Sequence, residues 1–391
     1  MKTVFRSRRQ RRGLAGLLAV ALATTGLLQF SSPPSQAGVA GPSLGAFLVT
    51  YGRRSATEVE TAWASRGLVE ITRTSRGNYT LTASQITGAG NAQVTVLGPG
   101  APLPLCNVTS TSVSSAGTKV KVRCWSAVTG KTADAGFSLF YNTGRFTLAG
   151  NHYAVLSTNK TNRSHTPTNQ FRAAPSAAPL TVTRLARGAY KVTFPNENFP
   201  SNGAIMFVSA IGSSPRYCNL AGWLPDGSDV IARVDCYTRS GARSDSLFSL
   251  VATEGSLTGD TGPGGGLSVW RDYGAFTSTP ATFGPNDYHW NGNGGSDSSR
   301  NEYQPGRSTV VGDNVVTGPA IVFAMVSSYG FNFVWPEDPA HESTANRCAP
   351  GLVSTDLGTG DATFEVQCYT PSGYPVDASY TLGAVLISAV L

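Results

Sequence analysis

The chain has 391 residues, of which 40% are apolar and only 14% are charged. A composition this poor in charge and this rich in Gly, Thr and Val excludes a disordered tail and a helical cytosolic enzyme, and it is typical of an extracellular β-protein. The net charge is +7, from 30 Lys and Arg against 23 Asp and Glu.

The first 37 residues have the three parts of a secretory signal peptide. They begin with six basic residues, continue with a mainly apolar run over residues 14–28, and end on the small residues Ser35-Gln36-Ala37, so cleavage is expected after Ala37. The apolar run is too short for a membrane span, which needs about 20 residues. The remaining chain has 24 basic (30 − 6) and 23 acidic residues, a net charge of +1. We therefore predict a secreted, extracellular protein with no membrane span after signal removal and no nucleic-acid partner.

The six cysteines form three pairs with separations of 18, 18 and 20 residues. Spacing alone does not choose among the possible pairings, but repetition does, because each copy of a repeat should close its own bridge. An oxidising compartment favours disulfides, and a metal site would need tighter spacing or nearby histidines. The predicted disulfides are Cys106–Cys124, Cys218–Cys236 and Cys348–Cys368.

Each second cysteine ends an alternating run of residues that predicts a β-strand with one buried face. The residues two and four places before it are apolar, and those between them are polar or charged. An aromatic residue, a turn glycine and an Asp three residues before another aromatic follow, which predicts a β-hairpin at the end of each copy. The apolar positions are Val120 and Val122, Ala232 and Val234, and Phe364 and Val366.

Copies one and two also agree upstream of their cysteines. Residues 71–79 match residues 182–190 with an offset of 111, and each segment contains an Arg, a turn Gly and a Tyr that begins the next strand. In copy three, Arg300 and Gly306 are alternative matches. Further strands are predicted before the first cysteines, over 93–96, 205–208 and 321–324.

These landmarks divide the chain into three β-domains. Several short strands within about 110 residues predict an all-β fold of three tandem β-sandwich-like domains, or small barrels, each with one intra-domain disulfide. Repeat 3 has an insertion of about 14 residues before Cys348. The predicted boundaries are 1–37 for the signal peptide, 45–149 for repeat 1, 151–254 for repeat 2, 255–266 for a Gly-rich linker and 267–391 for repeat 3.

The repeat resembles that of secreted repeat proteins of soil bacteria. Their pattern reads roughly V-T-R-x-x-x-G-x-Y-x-V-x-F-P, then a Cys with a Trp five residues on, then V-x-V-x-C-[FY] and G…D-S-x-[FY]-[ST]. Copy two matches best, with Phe194-Pro195, Trp223 and Asp245-Ser246. Copies one and three have Thr111 and Val353 at the Trp position. The resemblance covers nearly all of the chain after the signal and implies one disulfide-linked β-domain per repeat, but it implies no activity.

Residues that carry enzyme chemistry do not recur in the three copies. The four histidines have no equivalent positions, and the sequence has no Gly-x-Ser-x-Gly, His-Glu-x-x-His or P-loop motif. The repeated Asp134, Asp245 and Asp377 are predicted to cap backbone amides through local Asx-type bonds, and Arg76 and Arg187 to be paired or solvated. The sequence therefore favours a protein without catalytic residues and leaves enzyme activity open.

The insertion of repeat 3 supplies candidate ligand-binding residues. Exposed aromatic rings beside carboxylates and amides suit carbohydrate recognition, because rings stack on sugar faces while polar groups hold hydroxyls. The favoured alternative is that the aromatics of residues 331–335 alternate and extend a core strand. The candidates are Tyr329, Trp335, Asp338 and His341.

A second segment, residues 288–297, places Tyr288 and Trp290 before a run of Asn, Gly and Asp. Both aromatics are further candidates for ligand binding. The run resembles a calcium loop, because oxygen ligands two residues apart converge where Gly bends the chain, but it lacks the charge and the closing Glu of such a site. We therefore predict an ordinary loop, with no metal ion and no cofactor.

Three functions are compatible with this sequence. The leading hypothesis is a secreted bacterial protein without catalytic activity, either structural or binding an unknown ligand through three related surfaces. The first alternative is a carbohydrate-binding or adhesive protein that uses the aromatic loops of repeat 3, with an extracellular glycan or a cell-envelope component as its partner. The second alternative is a secreted hydrolase of unrecognised type, which predicts a cleft where carboxylates or His341 converge.

Overall fold

The chain is all-β wherever the computed structural model describes it, with 25 strands and no helix. Accordingly, no helix in those parts of the chain could cross a membrane. The predicted signal peptide and the predicted linker lie outside the described residues. These are 46–50, 61–64, 67–98, 102–143, 153–172, 178–196, 205–253, 267–271, 281–282, 288–291, 298–304, 307–312, 320–326, 345–355 and 362–386.

The first group of strands forms two antiparallel arrays in the orders β2-β1-β8-β5 and β3-β4-β7-β6. The alternating run predicted before Cys124 is β7, which is buried on one face. The strands are β1 (Ala46–Thr50), β2 (Thr61–Ala64), β3 (Val69–Ser75), β4 (Asn78–Ser84), β5 (Asn91–Leu97), β6 (Leu105–Ser114), β7 (Gly117–Trp125) and β8 (Gly136–Asn142).

The second group has the orders β10-β9-β16-β13 and β11-β12-β15-β14. These are the orders of the first group with every label raised by eight. The strands are β9 (Tyr153–Ser157), β10 (Asn169–Arg172), β11 (Thr181–Ala186), β12 (Ala189–Phe194), β13 (Ile205–Ile211), β14 (Arg216–Asp226), β15 (Asp229–Thr238) and β16 (Leu247–Thr253).

The third group has the orders β19-β17-β25-β22 and β18-β20-β21-β24-β23, which repeat the same connectivity with one additional short strand, β18. The strands are β17 (Leu267–Arg271), β18 (Ala281–Thr282), β19 (Tyr288–Asn291), β20 (Ser298–Gln304), β21 (Arg307–Gly312), β22 (Ala320–Val326), β23 (Arg347–Thr355), β24 (Ala362–Tyr369) and β25 (Tyr380–Leu386).

Each group therefore has one set of strands that contains the disulfide, called its cysteine sheet, and a second set, called its partner sheet. The cysteine sheet of the first group is continuous with the partner sheet of the second, because β6 and β13 pair in parallel at Val108 and Ile211, and the two sets form one eight-stranded sheet. In each of the first two groups, side chains of both sheets meet in one core. The ring centroids of Tyr79 on β4 and Phe137 on β8 are 5.1 Å apart, and those of Tyr190 on β12 and Phe248 on β16 are 5.3 Å apart. No sheet closes into a barrel within the described residues, so the predicted small-barrel alternative is not found there.

The hairpin that begins each cysteine sheet has a register shift at the same place. The shift follows Arg73 in β3, Arg184 in β11 and Glu302 in β20, and these residues pair with Tyr79, Tyr190 and Ser308. Two residues before Ser308 in the sequence stands Gly306, as Gly77 and Gly188 precede the two tyrosines. Gly306, and not Arg300, is therefore the match in copy three.

The partner sheet of the first group contacts that of the second, the second contacts the third, and the third contacts the first. Strand β5 packs against β9, β16 and β13 of the second group, β13 packs against β17 and β25 of the third, and β22 packs against β1, β8 and β5 of the first. Nearly every residue of β8, β13 and β16 is consequently buried. Residues Val39–Leu391 form one compact unit.

Candidate functional site

Each of the three predicted disulfides is present and joins two directly paired residues of neighbouring antiparallel strands. Cys106 pairs with Cys124 across β6 and β7, and the equivalent strands carry the other two bridges. The Cα atoms of the bridged residues are 4.1, 4.0 and 4.0 Å apart. All six described cysteines are thereby used in disulfides and none is free to bind a metal ion.

The recurring Asp that follows each second cysteine is a structural residue in the first two groups. Asp134 accepts bonds from Nε and Nη2 of Arg73 at 2.9 and 2.8 Å, from the amide of Gly77 at 2.8 Å and from the hydroxyl of Tyr79 at 3.1 Å. The hydrogen bonds from Arg73 lower the pKa of Asp134 to about 2, although burial opposes this shift.

Asp245 repeats the arrangement with Arg184, Gly188 and Tyr190, at 2.8 to 3.3 Å. Burial alone would raise the pKa of Asp245, but the bonds from Arg184 and Gly188 outweigh burial and lower it. A local Asx-type bond is therefore the wrong expectation, because the capped amide belongs to a hairpin 57 residues earlier. The arginines that pair with these two carboxylates are Arg73 and Arg184, whereas the repeated Arg76 is exposed to solvent.

The predicted ligand-binding aromatics fall partly within the described chain. The backbone of Tyr288 and Trp290 forms β19, which pairs with β17 and is the last strand at one edge of its sheet. The other candidates, Tyr329, Trp335, Asp338 and His341, lie outside the described residues. No group of His, Cys, Asp and Glu suited to a metal ion occurs in the described part of the chain.

The strongest site is a junction where the cysteine strands of all three groups meet. The residue before each first cysteine is Leu105, Tyr217 or Arg347, and each pairs with the aromatic that follows the second cysteine. The rings of Tyr217 and Tyr237 stack with centroids 5.4 Å apart. We define the junction by its buried members Leu105, Trp125, Tyr217, Tyr237 and Arg347 and by the half-buried Ala345, which packs against them.

Hydrogen bonds cross the junction from each group to the next. Asn107 Nδ2 donates to the carbonyl of Ser214 at 2.8 Å, which joins the first group to the second. Asn219 Nδ2 donates to the carbonyl of Asn346 at 2.9 Å, which joins the second group to the third. Arg347 Nη1 then donates to the carbonyl of Leu103 at 2.7 Å and returns to the first group. These bonds close a ring around the junction.

Sequence reasoning missed this junction although a signal for it exists. When the three copies are aligned at their first cysteines, Leu105, Tyr217 and Arg347 occupy one column. The residue type changes at every copy, so the column has no pattern that indicates burial. Only Arg347 stands out, as a charge next to a cysteine where the other copies have an apolar or aromatic residue.

No protein-family model, curated protein or solved structure matches the chain. Site residues can therefore be assigned only from their geometry. The junction is the best candidate because it gathers buried polar and cationic groups from three parts of the chain, whereas Asp134 and Asp245 already have structural partners.

Proposed function

We propose that this chain is a secreted, non-catalytic structural or binding protein whose three tandem β-sandwich domains, over residues 45–149, 151–254 and 267–391, close into a ring. The observation that carries the proposal is the return contact from the third group to the first. It consists of the bond from Arg347 to Leu103 and of the bond from the amide of Gly98 to the carbonyl of Pro350 at 3.3 Å. A linear array of domains would leave the first and third groups apart.

Polar contacts between the first two groups support a fixed arrangement. Ser209 Oγ both donates to the carbonyl of Val94 and accepts from its amide, each at 3.0 Å. Ser249 Oγ donates to the carbonyl of Ala92 at 2.7 Å, and both serines are buried. Such bonds impose a geometry that apolar packing alone does not, so the ring would hold three related outer surfaces at fixed spacing for a repetitive partner.

We propose, as part of the same function, that the chain is secreted and that it is related to a family of secreted repeat proteins. Three disulfides suit an oxidising compartment. The secreted repeat proteins of soil bacteria are the family that we propose, and cell-envelope components or extracellular glycans are the proposed partners.

The direct test is a pull-down of residues 38–391 with native cell envelopes and insoluble polysaccharides. Retention on at least one fraction, without release of new reducing ends or peptides over time, is the result expected of a binding protein. Continued release of cleavage products would contradict a non-catalytic role and would favour the hydrolase alternative. Secretion is tested separately, by finding a mature chain that begins at Gly38 in the culture medium.

Carbohydrate binding by repeat 3 is the second candidate, and the position of β19 at a sheet edge favours it. If Tyr288, Trp290, Tyr329, Trp335, Asp338 and His341 form a glycan site, Trp290→Ala and Trp335→Ala should each weaken retention on polysaccharide by about tenfold. Tyr374→Ala is the matched control, since Tyr374 is an exposed aromatic elsewhere in the third group. Equal retention of all three variants would contradict this candidate.

A further inference from the structure

The outer face of the first cysteine sheet carries a row of cations. Lys119, Lys121 and Arg123 alternate along β7 with buried residues, so their side chains lie on the face that points away from the core. The two lysines are exposed and Arg123 is half-buried. Successive members are two residues apart, which places a positive charge about every 7 Å along the strand. We call these three residues the cation row. Its charge is local, because the chain after residue 37 has a net charge of only +1 (24 − 23).

No carboxylate of the described chain neutralises the cation row. Its members form no ion pair there, and Nε of Arg123 donates to a neutral atom, Oδ1 of Asn78, at 2.6 Å. The strands of this cysteine sheet contain a single acidic residue, Glu70. Glu70 pairs with Thr82, which pairs with Lys119, so two strand spacings, or about 10 Å, separate its backbone from the row. Salt screens most of the attraction between exposed charges at that distance.

The equivalent position in each of the other two groups is neutralised inside the chain. Three places before the second cysteine, the first group has Lys121, the second Arg233 and the third Glu365. Arg233 and Asp235 form an ion pair at 3.2 Å and are both buried. Glu365 is also buried and forms an ion pair with Arg307 at 2.6 Å. Two copies of the fold thus compensate this charge internally, and the first copy leaves it exposed to a partner from outside the chain.

Hydroxyl groups border the cation row on both sides. Thr and Ser residues pair directly with the two lysines, and paired residues of antiparallel strands share one face of the sheet. Their hydroxyls can donate hydrogen bonds to the oxygens of an anion held by the lysines. The aromatic residues of these strands, Tyr79 and Trp125, are both buried, so the face has no ring on which a nucleobase or a sugar could stack. The paired hydroxyl residues are Thr80, Thr82, Ser110 and Ser112.

We propose that the cation row binds a linear glycerol phosphate polymer, which carries an ionised phosphodiester in every repeat. Successive phosphorus atoms of this polymer are joined by as many single bonds as two residues of a polypeptide backbone, so the extended polymer places a negative charge about every 7 Å. Each cation then faces a phosphate, while the bordering hydroxyls donate to its oxygens. Glycerol needs no stacking surface, and this face offers none. This assignment rests on the proposed binding function and gives the chemistry of its cell-envelope partner.

Equilibrium binding of residues 38–391 to an immobilised synthetic glycerol phosphate polymer tests the site. Counterion release at three phosphates predicts an affinity that falls about 20-fold between about 50 and 200 mM salt. Lys121→Gln should bind about fivefold more weakly at about 100 mM salt and should lower the salt dependence by about a third, because it removes one phosphate contact. Lys121→Arg should behave as the natural chain does. Arg187→Gln removes an exposed arginine from the second group and is the matched control, which should leave both quantities unchanged.

The outcomes distinguish this site from the proposed function. Retention of the natural chain on native cell envelopes but not on the polymer would overturn the site and leave the binding function intact, and so would equal affinities of the natural chain and Lys121→Gln for the polymer. Retention on neither material would contradict both. Single-stranded DNA and polygalacturonate with the same number of charges should bind more weakly, because their rings find no stacking partner on this face. Equal or tighter binding of either would show that the face selects charge alone and would overturn the proposal.

Discussion

Single residues hold together segments that are far apart in the sequence. Asp134 joins the β3–β4 hairpin to the start of β8, because it accepts from Arg73, Gly77 and Tyr79 at once. Its side chain is 15% exposed, so the ion pair is partly shielded from water. The stability of this cysteine sheet therefore depends on the negative charge of Asp134.

Asp134→Asn should destabilise the protein by about 1 to 2 kcal/mol at pH 7, after allowance for solvent screening. The pKa of Asp134 falls from 3.8 in the unfolded chain to about 2 in the folded one. The carboxylate therefore contributes its full stability above pH 4, and this contribution is lost as the pH falls through 2. Urea unfolding at pH 7 and at pH 2 to 4 measures both effects.

Glu70→Gln is the control, because Glu70 is an exposed acid on the neighbouring strand β3. It should leave the stability at pH 7 within about 0.5 kcal/mol of the natural value. If both substitutions had the same effect on stability and on its dependence on pH, the special role of Asp134 would be refuted.

At the scale of single elements, the hairpin glycines of the first two cysteine sheets, Gly77 and Gly188, each need a left-handed backbone and space that a Cβ would fill. Gly188 has a φ of +70°, and a Cβ there would lie 2.6 Å from the carbonyl oxygen of Cys236 and from the amide nitrogen of Ser244. Gly227, in the β14–β15 turn, has a φ of +62° but nothing within 4 Å of its Cβ position. The two glycines share a backbone conformation and differ in the space around them.

Gly227→Ala should therefore cost about 1 kcal/mol, which is the strain of a left-handed backbone alone. Gly188→Ala should cost at least about 2 kcal/mol more, because the β-carbon collides with the carbonyl oxygen of Cys236 and the amide nitrogen of Ser244, which are hydrogen-bonded to each other at 2.9 Å. Denaturant unfolding of the two variants measures the difference. Equal losses would mean that close approach at Gly188 has no consequence.

The elements that sequence could predict are those whose pattern is local. The strand before Cys236 depends on an alternation, a turn glycine and a neighbouring aromatic, so β15 and the start of β16 follow from a short window. The predicted hairpin between these two strands is wrong, because β15 pairs with β12 and β14, whereas β16 crosses to another sheet and pairs with β13 and β9. The mainly apolar strand β13 is buried on both faces, and besides β16 and β14 of its own group its neighbours include β5 and β6 of the first group and β17 and β25 of the third. No local pattern specifies those partners. Arg347 differs in charge from Leu105 and Tyr217 at the equivalent positions, but a single residue in one copy has no periodicity from which its burial could be predicted.

At the scale of the whole molecule, the cyclic contacts of β5, β13 and β22 predict that the three groups unfold together. Each partner sheet has one face on its own cysteine sheet and another on a neighbouring group, as the buried runs of β8 and β16 indicate. Loss of one group would expose apolar and hydrogen-bonded surface on both others, and this cost couples their stabilities.

Native-state hydrogen exchange of Gly188→Ala tests this coupling, since the substitution destabilises only the second group directly. Under denaturant concentrations where global unfolding dominates exchange, amides of β7 in the first group and β24 in the third should exchange faster by the same factor as those of β15. The expected loss of at least about 3 kcal/mol corresponds to an increase of more than about 100-fold. Gly227→Ala, with its smaller loss, should give a proportionally smaller and equally uniform increase. Acceleration confined to the second group would show that the domains unfold independently, and a rigid ring could not then be the basis of the proposed function.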